Sequence, residues 1–252
     1  MSYPGMVAET VALDGFNGDR IEAYHARPSG PGSFGGVVVI HHAPGWDEWT
    51  CEVVRKLAHH GYHAISPHLY SRAPLGPADD MAARVRAMGG VSDAQAMGDI
   101  EAGVKFLRAQ PTANGKVGCI GFCSGGRHAY LAAALVPSLD AAVDCWGGGV
   151  IVTDPAHLTP ARPVPPIDYT ARIGCPLLGI FGNDDRNPTV EQVNETEAAL
   201  KKEGKSYEFH RYDGAGHGFF ATDRAGYRPE QATDAWNHVF KFYEKYLDAR
   251  AS

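Results

Sequence analysis

The sequence predicts an α/β fold with a mostly parallel central sheet, helices on both faces and an antiparallel N-terminal edge. Three observations predict it. Short runs rich in β-branched residues alternate along the chain with segments of helical periodicity, the pattern of strand–helix–strand units. The run Val37-Val38-Val39-Ile40 is continuously apolar, as a strand covered on both faces must be. The first two strand candidates alternate only loosely and are joined by a short turn, which suits antiparallel neighbours at a sheet edge. At 252 residues the chain can bury one large core, and we expect one domain spanning residues 1–252.

Each element follows from local pattern. Val7 to Leu13 and Arg20 to His25 are the edge strands, separated by the turn formers Asp14-Gly15-Phe16-Asn17-Gly18. Pro28 to Gly36 reads as a loop, and Val37 to Ile40 as the first central strand. Trp49 to His60 is a helix with Val53 and Leu57 on one side, and Tyr62 to Ser66 is a strand. Ser92 and Gln95 have capping-box spacing, followed at helical spacing by Met97, Ile100, Val104 and Leu107. Lys116 to Ile120 is a strand and Arg127 to Val136 a helix of small residues. Ala141 to Trp146 and Leu177 to Phe181 are strands. Val190, Val193 and Leu200 mark a helix that stops near Gly204. Tyr207 to Tyr212 is a strand. Pro229 opens a final helix with Ala232, Trp236, Phe240, Tyr243 and Leu247 on its inner face. Gly147 to Arg172 has no clear periodicity and carries Pro155, Pro160, Pro163, Pro165 and Pro166. A loop of that length in a compact domain is often functional, and we expect it to border a substrate pocket.

Composition removes several function classes. Lys plus Arg total 23 and Asp plus Glu 29, a net charge of −6, whereas nucleic-acid binding needs clustered cations. No apolar run approaches the ~18 residues of a spanning helix. Met1 to Gly15 contains no Lys or Arg, unlike the basic start of a secretion signal. Five cysteines without such a signal do not read as a disulfide framework, so a cytoplasmic protein with at least one free thiol is expected. His41-His42 and His59, His60, His63 lack zinc-motif spacing. Gly30 to Gly35 fits the dinucleotide pattern literally but precedes a strand, so no helix terminus awaits a phosphate. No metal, cofactor, nucleic acid or membrane partner is expected.

The strongest local signal is Gly121-Phe122-Cys123-Ser124-Gly125-Gly126, placed after a strand and before a helix. That is the setting of a nucleophile elbow, a turn so sharp that glycines must flank the nucleophile. Here the nucleophile is Cys123, whose thiolate the helix N-terminus favours. An elbow of this kind requires an acid and then a His further along the chain. Phe181-Gly182-Asn183-Asp184-Asp185 follows one strand and Gly214-Ala215-Gly216-His217 follows the next. His217 is the expected base and Asp185 the acid that orients it, with Asp184 the second choice. The oxyanion hole would use the backbone N–H groups of Ser124 and, from the loop after the first central strand, Ala43. Cys51, Cys119, Cys145 and Cys175 lack such a setting and read as packing residues.

These motifs resemble the dienelactone hydrolase family of the α/β-hydrolase superfamily. Pro67-His68-Leu69-Tyr70-Ser71-Arg72, the stretch from Gln110 through Asn114-Gly115-Lys116 into the elbow, Phe181 to Asp185, and Tyr212 to Phe219 carry the resemblance. It covers roughly residues 5–248. It implies an α/β-hydrolase fold and cleavage of a small ester or enol-lactone by a Cys-His-Asp triad, without metal or organic cofactor. Two positions depart from the family pattern. Members carry a Glu after the first central strand, where it pairs with the resting Cys; the matching residue here is His42. Members carry an Arg shortly after the catalytic His; the matching stretch here is Phe219-Phe220-Ala221, with Arg224 further on. An esterase or lactonase broader than a dienelactone hydrolase is therefore expected.

His42, Trp46, Arg72, Trp146 and Phe219 lie beside these motifs and are the candidate substrate-binding residues. Arg127 is expected on an exposed helix face. The competing functions are another reaction of the same thiol–imidazole pair (thiol transfer, isomerisation or dehalogenation) and a non-catalytic binding protein on the same fold.

Overall fold

The computed structural model describes residues 5–73 and 78–248. Eight strands form one sheet: β1 (Met6–Asp14), β2 (Arg20–Pro28), β3 (Phe34–Ile40), β4 (His63–Pro67), β5 (Ala113–Phe122), β6 (Ala141–Cys145), β7 (Leu177–Gly182) and β8 (Tyr207–Tyr212). Their spatial order is β1-β2-β4-β3-β5-β6-β7-β8. β1 pairs antiparallel with β2, and β2 with β4. Every pairing from β4 to β8 is parallel. The helices are α1 (Glu48–His59), α2 (Ala78–Ala87), α3 (Asp93–Arg108), α4 (Ser124–Leu135), α5 (Val190–Lys202) and α6 (Pro229–Leu247). This is the α/β-hydrolase arrangement. Among the described residues no helix is long and apolar enough to cross a membrane.

Side chains alternate across each strand, so one strand feeds two cores. Val38 and Ile40 enter the core beneath α3 and α4; Val37 and Val39 enter the one beneath α1 and α6. All four are at most 1% exposed. Each contributes about 1.5–3 kcal/mol by leaving water, which is why this run is apolar without interruption.

The differences from sequence expectation have local causes. β3 begins at Phe34, inside the predicted loop, because Phe34 N–H bonds the Thr112 carbonyl and a register shift admits Gly35. α2 lay unassigned; its inward residues are Met81, Ala82 and Val85, a short stripe among alanines and arginines. Ser92 caps α3 by accepting from Gln95 N–H, but the Gln95 amide reaches the Leu69 carbonyl instead of completing a capping box. The complete box lies at Thr189 and Gln192. On α6, Phe240 is only half-buried and stacks on His60 (centroids 3.7 Å apart), while Val239 and Phe242 take the inner positions.

The Gly147–Arg172 segment forms short 3-10 turns at Pro155–His157 and Pro166–Arg172. It is tied to its surroundings: Tyr130 shares a 2.7 Å hydrogen bond with Thr170, and Asp93 N–H bonds the Ala161 carbonyl. As expected of it, the segment walls a cavity.

Candidate active site

The elbow is built by contact distances that leave no room for side chains. A Cβ on Gly121 would lie 1.8 Å from the Gly125 carbonyl oxygen, and one on Gly125 would lie 2.2 Å from that of Ile40. Two glycines therefore let the end of β5 turn directly into α4. Between them Cys123 sits at φ 56°, ψ −117°, a conformation costly for a residue with a side chain and typical of functional turns. The cost is of order 1–3 kcal/mol. The surrounding β3–β5–β6 ladder sustains it, with Cys123 N–H bonded to the Cys145 carbonyl at 3.1 Å.

β7 and β8 deliver the other two groups. The loop after β7 buries the Asp185 carboxylate, 3% exposed, and the loop after β8 presents His217. His217 Nδ1 bonds Asp185 Oδ2 at 2.8 Å. The second Asp185 oxygen accepts from Asn187 N–H at 2.9 Å, which fixes the carboxylate plane. Asp184 is exposed and meets the His loop only through its backbone. With Nδ1 engaged, the other ring nitrogen of His217 is left for Cys123, whose thiol pKa the imidazole lowers.

Burial by itself would push the Cys123 thiol up. His217 and the N–H groups of Ser124 and Ala43 outweigh it, and its pKa falls below the ordinary thiol value. Burial would likewise lower His217, but Asp185 and Cys123 raise it to about 10. The other four thiols go the opposite way. Burial raises Cys51 to about 11 and Cys175 to about 12, and lifts Cys119 and Cys145 well above the usual range. All five cysteines are free.

The loop after β3 is held by His41. Its Nδ1 bonds the His42 carbonyl at 2.9 Å, and Leu69 N–H bonds its Nε2 at 3.2 Å. Tyr70 donates to the Ala43 carbonyl at 2.9 Å. Beside Ala43 and Ser124 opens a cavity of about 150 Å³, also lined by Tyr70, Arg86, His128 and Arg162. Arg162 also borders a cavity of about 470 Å³ walled by Arg127 and the segment after β6. Asp93 pairs with Arg127 in fork geometry (3.0 Å to Nη2). Among the described residues the Arg162 guanidinium bonds only the Val91 carbonyl, at 3.2 Å, and burial with the neighbouring Arg127 lowers its pKa.

Of the expected substrate-binding residues, Trp146 meets His217, and His42, Trp46, Arg72 and Phe219 have their own partners. His42 is 6% exposed, with Nε2 on Asp47 at 2.6 Å and its ring against Trp49. Trp46 turns edge-on to Tyr24 and His68. Arg72 bonds Asp19 at 2.6 Å and the fully buried Asp99 at 2.8 Å, locking the β1–β2 turn to α3. Phe219 is 0% exposed and belongs to the core. Trp146, 1% exposed with φ 43°, sets its ring edge-on to His217 at 6.4 Å, so it supports the imidazole from behind. Arg127, expected on an exposed face, is 6% exposed because Asp93 draws it inward.

His41, Tyr70, Arg86, His128 and Arg162 were not among the expected site residues. Only two had a readable signal: His128 is one helical turn beyond Ser124, and Arg162 lies in the proline-rich segment expected to border a pocket.

Comparison with known proteins shows the family and the fold. Residues 21–247 match the sequence profile of the Dienelactone hydrolase family. A Methylorubrum extorquens protein named "Putative carboxymethylenebutenolidase" is 34% identical over 247 residues, covering 96% of this chain and 82% of its own length. A Bradyrhizobium protein named "Probable 2-oxo-3-(5-oxofuran-2-ylidene)propanoate lactonase" is 30% identical over 250 residues, covering 96% and 98%. The crystal structure of a Klebsiella pneumoniae protein described as "Putative Dienelactone Hydrolase" superposes with a TM-score of 0.87 at 28% identity, covering 96% of this chain and 100% of that one.

Proposed function

This chain belongs to the dienelactone hydrolase family of ester hydrolases, and on that premise we propose that it cleaves a small ester or enol-lactone through an acyl-thioester on Cys123. The observation that carries the reading is the glycine-flanked turn that holds Cys123 at a strained φ, beside a His217 fixed by Asp185 that lowers the thiol pKa.

The reactive form pairs the Cys123 thiolate with the His217 imidazolium, reached by transfer of the thiol proton to His217 or already present before substrate binds. The sulfur attacks the ester carbonyl, and the carbonyl electron pair moves to oxygen. The N–H groups of Ser124 and Ala43 hold that oxyanion; one such donor is worth about 3–4 kcal/mol of barrier. The intermediate collapses, the C–O bond breaks, and the departing enolate or alkoxide takes the His217 proton. Neutral His217 then draws a proton from water, whose oxygen attacks the thioester. Carbon–sulfur cleavage releases the acid and restores the thiolate–imidazolium pair. Asp185 keeps the imidazole in one tautomer throughout. Thiolate leaves more readily than alkoxide, so this chemistry favours activated esters and enol-lactones over amides. The relatives' names support a lactone as substrate. Arg86 and Arg162 beside the oxyanion donors favour one carrying a negative charge near the scissile carbonyl.

Steady-state kinetics of Cys123→Ala with aryl esters and enol-lactones, with mass spectrometry of the wild type quenched early in turnover, tests the reading. A silent variant and an acyl adduct on Cys123 support it. Undiminished hydrolysis by Cys123→Ala rejects it.

A further inference from the structure

We propose that Glu208, His210 and His238 form a divalent transition-metal site of the zinc class, away from the reaction centre, that ties α6 to the edge strand β8.

Glu208 and His210 are two apart on β8, so their side chains leave the same face of the sheet. His238 comes from α6, which packs across that face. One ligand atom from each of the three lies within 4.8 Å of the others. The Glu208 carboxylate oxygen Oε1 is the hub, 2.5 Å from His210 Nε2 and 3.8 Å from His238 Nδ1. Zinc binds imidazole nitrogen and carboxylate oxygen at about 2.0–2.2 Å, which puts tetrahedral ligands about 3.3 Å apart. The three side chains, 53%, 22% and 28% exposed, have room to rotate into that geometry, and their exposure leaves the fourth position to water.

The surroundings are those of a ligand set. The distal nitrogen of His238 faces Asp234 at 3.5 Å, and Asp234 accepts from the Tyr212 hydroxyl at 3.0 Å. A carboxylate behind the far nitrogen of a metal-bound imidazole fixes its orientation and raises its basicity. The His210 and His238 rings are stacked with centroids 3.5 Å apart, and binding turns them so that both nitrogens face the metal. Imidazole with carboxylate suits zinc, nickel or copper more than calcium or magnesium.

The test is thermal unfolding and calorimetric titration of the full chain with Zn²⁺. One equivalent is expected to bind and to raise the unfolding midpoint by about 5 °C at saturation. His210→Ala and His238→Ala should each abolish that increment while leaving the metal-free midpoint and ester hydrolysis unchanged within about twofold. Asp234→Asn should weaken binding about 10–100-fold. If a histidine variant folds poorly, the exposed Glu208→Gln serves instead. Cobalt substitution distinguishes this site from Cys123, because only thiolate ligation adds a near-ultraviolet charge-transfer band. Absence of any stabilisation, stabilisation that persists in the His210→Ala/His238→Ala double variant, or a thiolate band in the cobalt spectrum would overturn the proposal.

Discussion

His41 Nδ1 donates to the His42 carbonyl oxygen, 2.9 Å away, and that carbonyl shares a peptide plane with the Ala43 N–H. In a trans peptide the two groups point in opposite directions, so anchoring the carbonyl aims the N–H at Cys123. The tautomer is set by Leu69 N–H, which occupies Nε2. Burial holds the ring neutral, with a pKa pushed down to about 3. In the proposed mechanism His41 is thus a positioning residue. His41→Ala is expected to lower kcat about 10–100-fold with little change in KM, somewhat less than outright loss of an oxyanion donor. His41→Gln, which retains a donor, should recover part of the loss. Equal damage by both variants would refute the assignment.

The acid partner is tested by a pair of neighbours. Asp185→Asn removes the acceptor of His217 Nδ1 and should cut kcat by about 10²–10⁴. Asp184→Asn, at an exposed carboxylate, should stay within about twofold of wild type.

Alkylation reads the charge state of the pair. The Cys123 pKa is lowered and that of His217 is raised to about 10, so the thiolate persists below the ordinary thiol range and the imidazolium survives up to about pH 10. The iodoacetamide rate should rise at lower pH than that of an ordinary thiol, whereas in His217→Ala the profile should move to higher pH. On the alkaline side kcat/KM should fall as His217 loses the proton it gives to the leaving group. A thiol inert between about pH 6 and 9 would favour a non-catalytic protein.

Substrate charge is tested at Arg162. Arg162→Gln should raise KM for anionic esters about 10–100-fold, the worth of a charged hydrogen bond, and leave neutral esters within about twofold. Equal effects on both classes would make Arg162 a packing residue.

Gly125→Ala places a methyl group 2.2 Å from the Ile40 carbonyl. Backbone cannot yield there as a flexible side chain would. Destabilisation of at least about 2 kcal/mol is expected in urea unfolding, together with loss of hydrolysis.

Much of this molecule is readable from local pattern. The strand order of events along the chain, the elbow glycines, Cys123, and the strand ends that carry Asp185 and His217 all follow from short-range constraints. An apolar run, a tight turn or a helix start each demands its residues within a few positions. α2 escaped because its apolar stripe is short, and the capping box at Ser92 stayed half-made because Gln95 found a distant carbonyl that no spacing rule reveals.

Direction was the harder matter. Proximity in sequence to a site motif placed His42, Trp46, Arg72 and Phe219 beside the chemistry, yet each side chain turns to a partner elsewhere: Asp47, Tyr24 with His68, Asp99, and the aromatic core. His41, one residue from His42, carries the opposite lesson. Arg162 reaches the cavity from a segment without periodicity, and His210 meets His238 across a strand–helix contact. A residue's type and its place on an element follow from the chain's own backbone chemistry. Which way a polar side chain points is decided by the long-range partner that offsets its burial, and that partner exists only once the sheet has brought remote strands together.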